Sequence, residues 1–186
     1  MEEVNLASFA ADAQNKRKGY RRFITKCESK PPKNLDQLIE IADREVWKEI
    51  DCTSCANCCK TMTPTFTPRD IKRAATFLHM TPLAFKSKWL MREKKAKDWV
   101  NVHQPCQFLD LATNLCTIYE ARPDDCAGFP HLAKHKAKDY MHIHKQNMEY
   151  CPATLRFIKI LKTMTKLAKK QQKAELTGFP LEQKQG

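Results

Sequence analysis

Residues 51 to 60 read D-C-T-S-C-A-N-C-C-K, placing Cys52, Cys55, Cys58 and Cys59 within eight consecutive positions. No helical or strand period runs through this stretch, and such density is poorly explained by cysteine used as a small hydrophobe. C-x-x-C spacing lets two sulfurs turn toward one centre, the geometry of zinc knuckles and iron–sulfur loops. The run Cys52, Cys55, Cys58 also matches the start of a bacterial ferredoxin motif. The segment from Asp51 to Thr65 is therefore expected to be a loop organised by metal. Cys58 and Cys59 add a constraint, because successive side chains diverge in a helix and oppose each other in a strand. The pair is predicted to serve two different centres, or two metals of one cluster.

Four more cysteines extend the set. Cys106 and Cys116 flank a predicted hairpin whose ends can approach one point. Cys126 sits in a compact loop, and Cys151 opens the last helix, where the positive end of the dipole favours a thiolate. Eight cysteines divide into two four-thiolate sites, or into one such site plus four structural thiols. Cys27 stands apart on the basic first helix and reads as a free or buried thiol. The N-terminus MEEVNLASFAADAQ carries acid where a signal peptide carries base, and no apolar run follows it. No stretch reaches the length of a membrane span. A cytoplasmic location is expected, and there disulfides do not account for nine cysteines.

The segments C-T-S-C-A-N-C-C-K, C-Q-F-L-D and C-T-I-Y-E-A-R-P-D-D-C-A-G-F-P resemble the YkgJ-type cysteine-cluster family, a zinc- or iron-chelating CxxCxxCC domain. The resemblance spans Cys52 to about Cys151. It implies that Cys52, Cys55, Cys58, Cys59, Cys106, Cys116 and Cys126 are metal ligands, with Cys151 joining them. Ala127 departs from the pattern, since members often carry a basic residue there. The family is similar in part to longer proteins linked to lysine methylation of flagellin. This chain lacks their extra length, and that activity is not carried over.

Thiolate ligands suit zinc and iron–sulfur clusters alike. The ferredoxin-like triplet and the adjacent pair lean toward iron or an iron–sulfur cluster, with two zinc sites as the alternative. Arg122 and the amides around Cys126 are candidate donors to thiolate sulfur. The competing reading of Arg122 is a salt bridge to Asp124 or Glu120. His131 and His135 would share a helix face and His142 and His144 a strand face, and all four are expected to be surface or supporting residues. Asp124 and Asp125 are expected to cap the turn before Cys126.

The rest of the chain reads as mainly α, a small helical domain with a short β-hairpin and cysteine-rich loops. Residues 1–50 are expected to hold two helices, 51–152 the cysteine domain, and 153–186 a final helix and frayed tail, all in one compact unit. The first helix should stop before Pro31–Pro32. The second should follow Asn34 as N-cap, with Leu35, Leu38, Ile39, Ala42 and Val46 on its buried face. Thr67-Pro68-Arg69-Asp70 should open a third, and Thr81-Pro82 a fourth with Phe85 and Trp89 facing inward. Trp99–His103, Cys106–Leu111 and Leu115–Tyr119 should be short strands, with a turn at Asp110–Asn114. The last helix should run from Cys151-Pro152 to about Lys170.

Only four glycines occur, and no glycine-rich phosphate loop exists. The formal charge of +12 would fall to about +8 with two tetrathiolate zinc sites. That surplus admits an acidic partner, with a lysine-rich solvated surface as the plainer reading. Three functions follow in order. The first is a metal-binding module without catalysis, with closed sites and an unidentified protein partner. The second is an iron or iron–sulfur enzyme acting on a protein or peptide, with an open position facing a cleft. The third is a basic zinc-ribbon-like nucleic-acid binder, with lysines and exposed aromatics beside the cluster.

Overall fold

A computed structural model describes residues 4–133 and 137–177 of the chain. Asn5 caps α1 (Leu6–Ser29), its side chain accepting from Ser8 N at 2.9 Å. Phe9, Ala13, Tyr20, Ile24 and Cys27 form its buried face, and the helix ends just before Pro31–Pro32. In α2 (Leu35–Glu49) all five expected stripe residues are buried. Asn34 occupies the N-cap position, but its side chain makes no capping bond.

The segment expected as a loop instead holds two short helices, α3 (Cys52–Cys55) and α4 (Asn57–Thr61). Asp51 starts α3 by accepting from Thr53 N at 2.9 Å. Ala56, in the left-handed region at φ 45°, breaks one helix and begins the next.

Beyond them, β1 (Thr65–Phe66) leads into α5 (Pro68–Phe77) and α6 (Pro82–Trp89). α5 opens on the expected reciprocal cap between Thr67 and Asp70. β2 (Leu90–Arg92) and β3 (Trp99–Asn101) complete an antiparallel sheet of order β1-β3-β2. Val100 lies opposite Thr65 on one side and Met91 on the other. The hairpin is thus β2–β3. Trp99–His103 is a strand only to Asn101, and it does not pair with Cys106–Leu111. The stretch from Cys106 to Tyr119 is a tight loop closed by one bridge, Leu109 opposite Cys116, with its turn at Asp110–Asn114 as expected. The loop sends Phe108 and Ile118 into the core beside Phe85.

A 3-10 turn (Tyr119–Ala121) and the short α7 (Asp124–Gly128) follow, then α8 (Ala137–Asn147) and α9 (Pro152–Thr177). The sequence expectation of a strand face carrying His142 and His144 does not hold for α8. Met141 and His144 instead stand one helical turn apart on α8 and are buried, with buried Met148 just past its end. α9 continues past Lys170 to Thr177 rather than fraying there.

Two apolar clusters result. One joins α1, α2, α8 and α9, with Val46, Met148, Phe157 and Leu161 among its most buried members. The other joins α5, α6 and the sheet around Phe66, Phe85, Phe108 and Ile118. The architecture is mainly helical with a small three-stranded sheet. No helix among the described residues is long and apolar enough to cross a membrane.

Candidate metal centre

The short helices α3 and α4 present four thiols to one region because the left-handed turn at Ala56 redirects the chain between them. The Cys58 and Cys59 sulfurs lie 4.0 Å apart on α4. Distant segments are tied to this pair of helices by hydrogen bonds. Cys106 N donates to Cys59 O at 2.8 Å. Asn57 Nδ2 donates to Tyr150 O at 2.6 Å, which brings the residue before Cys151 against α4. Asn114 Nδ2 reaches Ser54 O at 3.4 Å.

Cys126 is held through α7. Asp70, 1% exposed, accepts from Asp124 N at 3.1 Å and from the Arg73 guanidinium at 2.6 Å. Arg73 also bonds Arg122 O and Asp124. Asp125 accepts from Thr65 N at 3.0 Å. Asp124 and Asp125 therefore fasten α7 to the sheet cluster, in place of the capping role expected from sequence.

A cavity of about 370 Å³ lies at the junction. Cys52, Cys58, Cys59, Cys106, Cys116 and Cys126 line it, together with Trp47, Phe129, Tyr119 and Arg122. Cys55 and Cys151 are absent from its wall, and Cys151 is buried in the four-helix cluster. All nine cysteines are free thiols. Among the described residues no three His, Cys, Asp or Glu side chains are already drawn into a metal shell. The structure brings six expected ligands round one space and leaves two just outside it.

Electrostatics divides these thiols. Cys59 is drawn down by the hydrogen bond from Cys58, against the opposing effect of burial, with help from Lys60. Cys58 is pushed up by that same bond, then by burial and by the charges of Cys59, Cys151 and Cys52. Burial, then Cys151, Cys55, Asp51 and Cys59, pushes Cys52 up to about 12, although the residue itself is exposed. Burial raises Cys126 as well, followed by Cys59, Cys106, Asp125 and Cys116. Crowded thiols of this kind keep their protons until a cation replaces them, so a metal taken up by them would release protons.

Backbone N–H groups work against burial at Cys59, through its own N–H, and at four further sulfurs. Asn57 donates to Cys55, Phe108 to Cys106, Ile118 to Cys116, and Ala153 and Thr154 to Cys151. In each case the donor lies two residues on (at Cys151, also three). Such bonds favour the charged thiolate. A donor set of clustered thiols, five of them with a backbone N–H donor, fits a thiolate-bound metal.

Arg122 stacks on Tyr119, its guanidinium 3.7 Å from the ring centre, and donates to Tyr119 O at 2.6 Å. Burial raises Cys116, and the Arg122 charge only partly opposes it. The competing salt bridge to Asp124 is not what forms, since Arg73 takes that carboxylate. His131 lies outside any helix, at φ 59°, with Nε2 3.9 Å from Asp125 Oδ1. His135 lies outside the described residues. Cys27 is buried, and burial pushes its thiol up to about 11.

Three contributors escaped sequence reading. Lys60, directly after Cys59, helps draw Cys59 down and opposes the effect of burial on Cys55, and its adjacency was a usable signal. Asn57, bonded to Tyr150 O, and Asn101, whose Nδ2 lies 3.2 Å from Cys106 Sγ, gave none, because an amide's partner is visible only in three dimensions.

Over residues 51–152 the chain matches the model of the CxxCxxCC family, described as "Putative zinc- or iron-chelating domain". The chain belongs to this family. In the CxxCxxCC domain all eight clustered cysteines lie within the matched span, while Cys27 lies outside it. No solved structure matches the chain.

Proposed function

We propose that the eight cysteines hold two metal centres, one on Cys52, Cys55, Cys58 and Cys151, the other on Cys59, Cys106, Cys116 and Cys126. The observation that carries this reading is the adjacent pair on α4. Beyond its bond to Cys59, Cys58 is acted on by Cys151 and Cys52, whereas Cys126 feels Cys59, Cys106 and Cys116, and Cys59, at the seam, acts on Cys52 and Cys55 as well. Cys59 is also bonded through its carbonyl to Cys106 N. The protein is a metal-binding module, and the bound ions join the four-helix cluster to the sheet cluster. Zinc supplies closed, stiffening sites, and iron or an iron–sulfur cluster adds electron transfer.

The test is purification without oxygen followed by metal and acid-labile sulfide analysis. Brown protein with iron and sulfide identifies a cluster, and colourless protein with about two zinc ions identifies paired tetrathiolate sites. Cys58→Ser and Cys59→Ser should remove different metal or spectral components. Protein that takes up neither metal after reconstitution overturns the proposal.

A second reading, an open iron site acting on a protein or peptide, draws support from the cavity itself. Trp47 and Tyr119, 38% and 45% exposed, stand on the wall that the thiols share. Nucleic-acid binding draws less. Lys162, Lys166, Lys169 and Lys170 are exposed on α9, but lie roughly 16–28 Å along the helix from Cys151 at 1.5 Å per residue.

A further inference from the structure

We propose that Asn101 is a positioning residue for the centre containing Cys106, donating its side-chain N–H to the Cys106 thiolate. The inference rests on the metal-binding reading above and goes beyond it to a residue outside the cysteine set. Asn101 ends β3 and is 5% exposed. Its Nδ2 lies 3.2 Å from Cys106 Sγ.

Which end of the amide faces the sulfur is decided by neighbours that cannot turn round. Gln107 Nε2 lies 2.9 Å from Trp89 O, a carbonyl that can only accept. Gln107 Oε1 lies 3.3 Å from His103 N, a backbone group that can only donate. The Gln107 amide therefore has one permitted orientation. Its Nε2 also lies 2.9 Å from Asn101 Oδ1, so that atom must accept. The remaining end of Asn101, the NH₂ group, then faces Cys106. The backbone of Asn101 is itself held by Thr63, whose Oγ1 accepts from Asn101 N at 3.1 Å. A buried amide fixed on both sides is preorganised to donate to sulfur before any metal arrives.

An N–H donor spreads the negative charge of a metal-bound thiolate, and outer partners of this kind typically account for 10–100-fold in metal affinity. Asn101→Asp keeps the shape and the acceptor for Gln107 but turns the donor into an acceptor. Gln107→Leu keeps the donor and removes what orients it.

The experiment uses the full chain loaded with ¹¹³Cd and labelled with ¹⁵N. In the wild type, one Asn101 side-chain proton should shift downfield on loading and show coupling to cadmium. In chelator competition, Asn101→Asp should weaken one of the two centres about 10–100-fold and leave the other unchanged. Gln107→Leu should weaken that same centre by less. Bound cadmium with no shift or coupling at the Asn101 amide overturns this inference alone. Failure to bind cadmium overturns the parent reading with it. The wild-type coupling decides the question even where Asn101→Asp does not fold.

Discussion

At the residue scale, two buried polar side chains do work that their neighbours make obligatory. Asp70 accepts from Thr67 N, Thr67 Oγ1, Asp124 N and Arg73. Removing it leaves a cap open, a guanidinium without its buried partner and α7 untethered. Asp70→Ala should cost about 3 kcal/mol in urea unfolding and speed alkylation of Cys126. No loss of stability would mean that α7 docks without this carboxylate. His144 is fully buried against Phe157, and burial lowers its pKa to about 4. The unfolded chain takes up that proton near pH 6.5, so the folded state loses stability as pH falls from about 6.5 to about 4. The loss should reach about 3 kcal/mol in metal-free protein, and His144→Gln should flatten that part of the stability–pH curve.

At the element scale, the short helices α3 and α4 depend on one unusual residue. Ala56 sits at φ 45° and is 4% exposed. A left-handed conformation costs an L-residue about 1–2 kcal/mol, and a β-branched side chain fits it worst. Ala56→Val should therefore destabilise the metal-free protein by about 1–2 kcal/mol, while Ala56→Gly should stay within about 1 kcal/mol of wild type. Equal effects from the two would show that space in the cavity wall, rather than backbone geometry, governs this position. The start of α5 was legible in advance because Thr67, Pro68 and Asp70 act within one turn of each other. The start of α2 was placed correctly, yet Asn34 makes no side-chain bond there. Sequence spacing locates a cap more readily than it determines the rotamer.

At the scale of the whole molecule, the cysteine segments bridge two apolar clusters of unequal size. The four-helix cluster is closed by ordinary side-chain packing, whereas the sheet cluster rests on two- and three-residue strands and the loops that carry the thiols. Chelation of bound metal should lower the melting temperature and raise amide exchange in residues 51–128. Exchange in the buried stretches of α1, α2 and α9 should remain slow. Uniform loss of protection across both clusters would show that they fold as one cooperative body.

By itself the sequence determined the helical character, the stripe of α2, the caps of α5 and α6, and the eight cysteines that set this chain apart. Those features depend on residues within a turn or two of each other, or on a side-chain type too dense to be accidental. Tertiary structure alone decided that α8 is a helix rather than a strand, since the partners that bury Met141 and His144 lie on other helices. It also decided that β3 pairs with β1 and β2, that Arg73 rather than Arg122 holds Asp124, and that the Asn101 amide points at Cys106. Each of these is a choice between partners remote in the chain, and pattern along a sequence carries no distance through space.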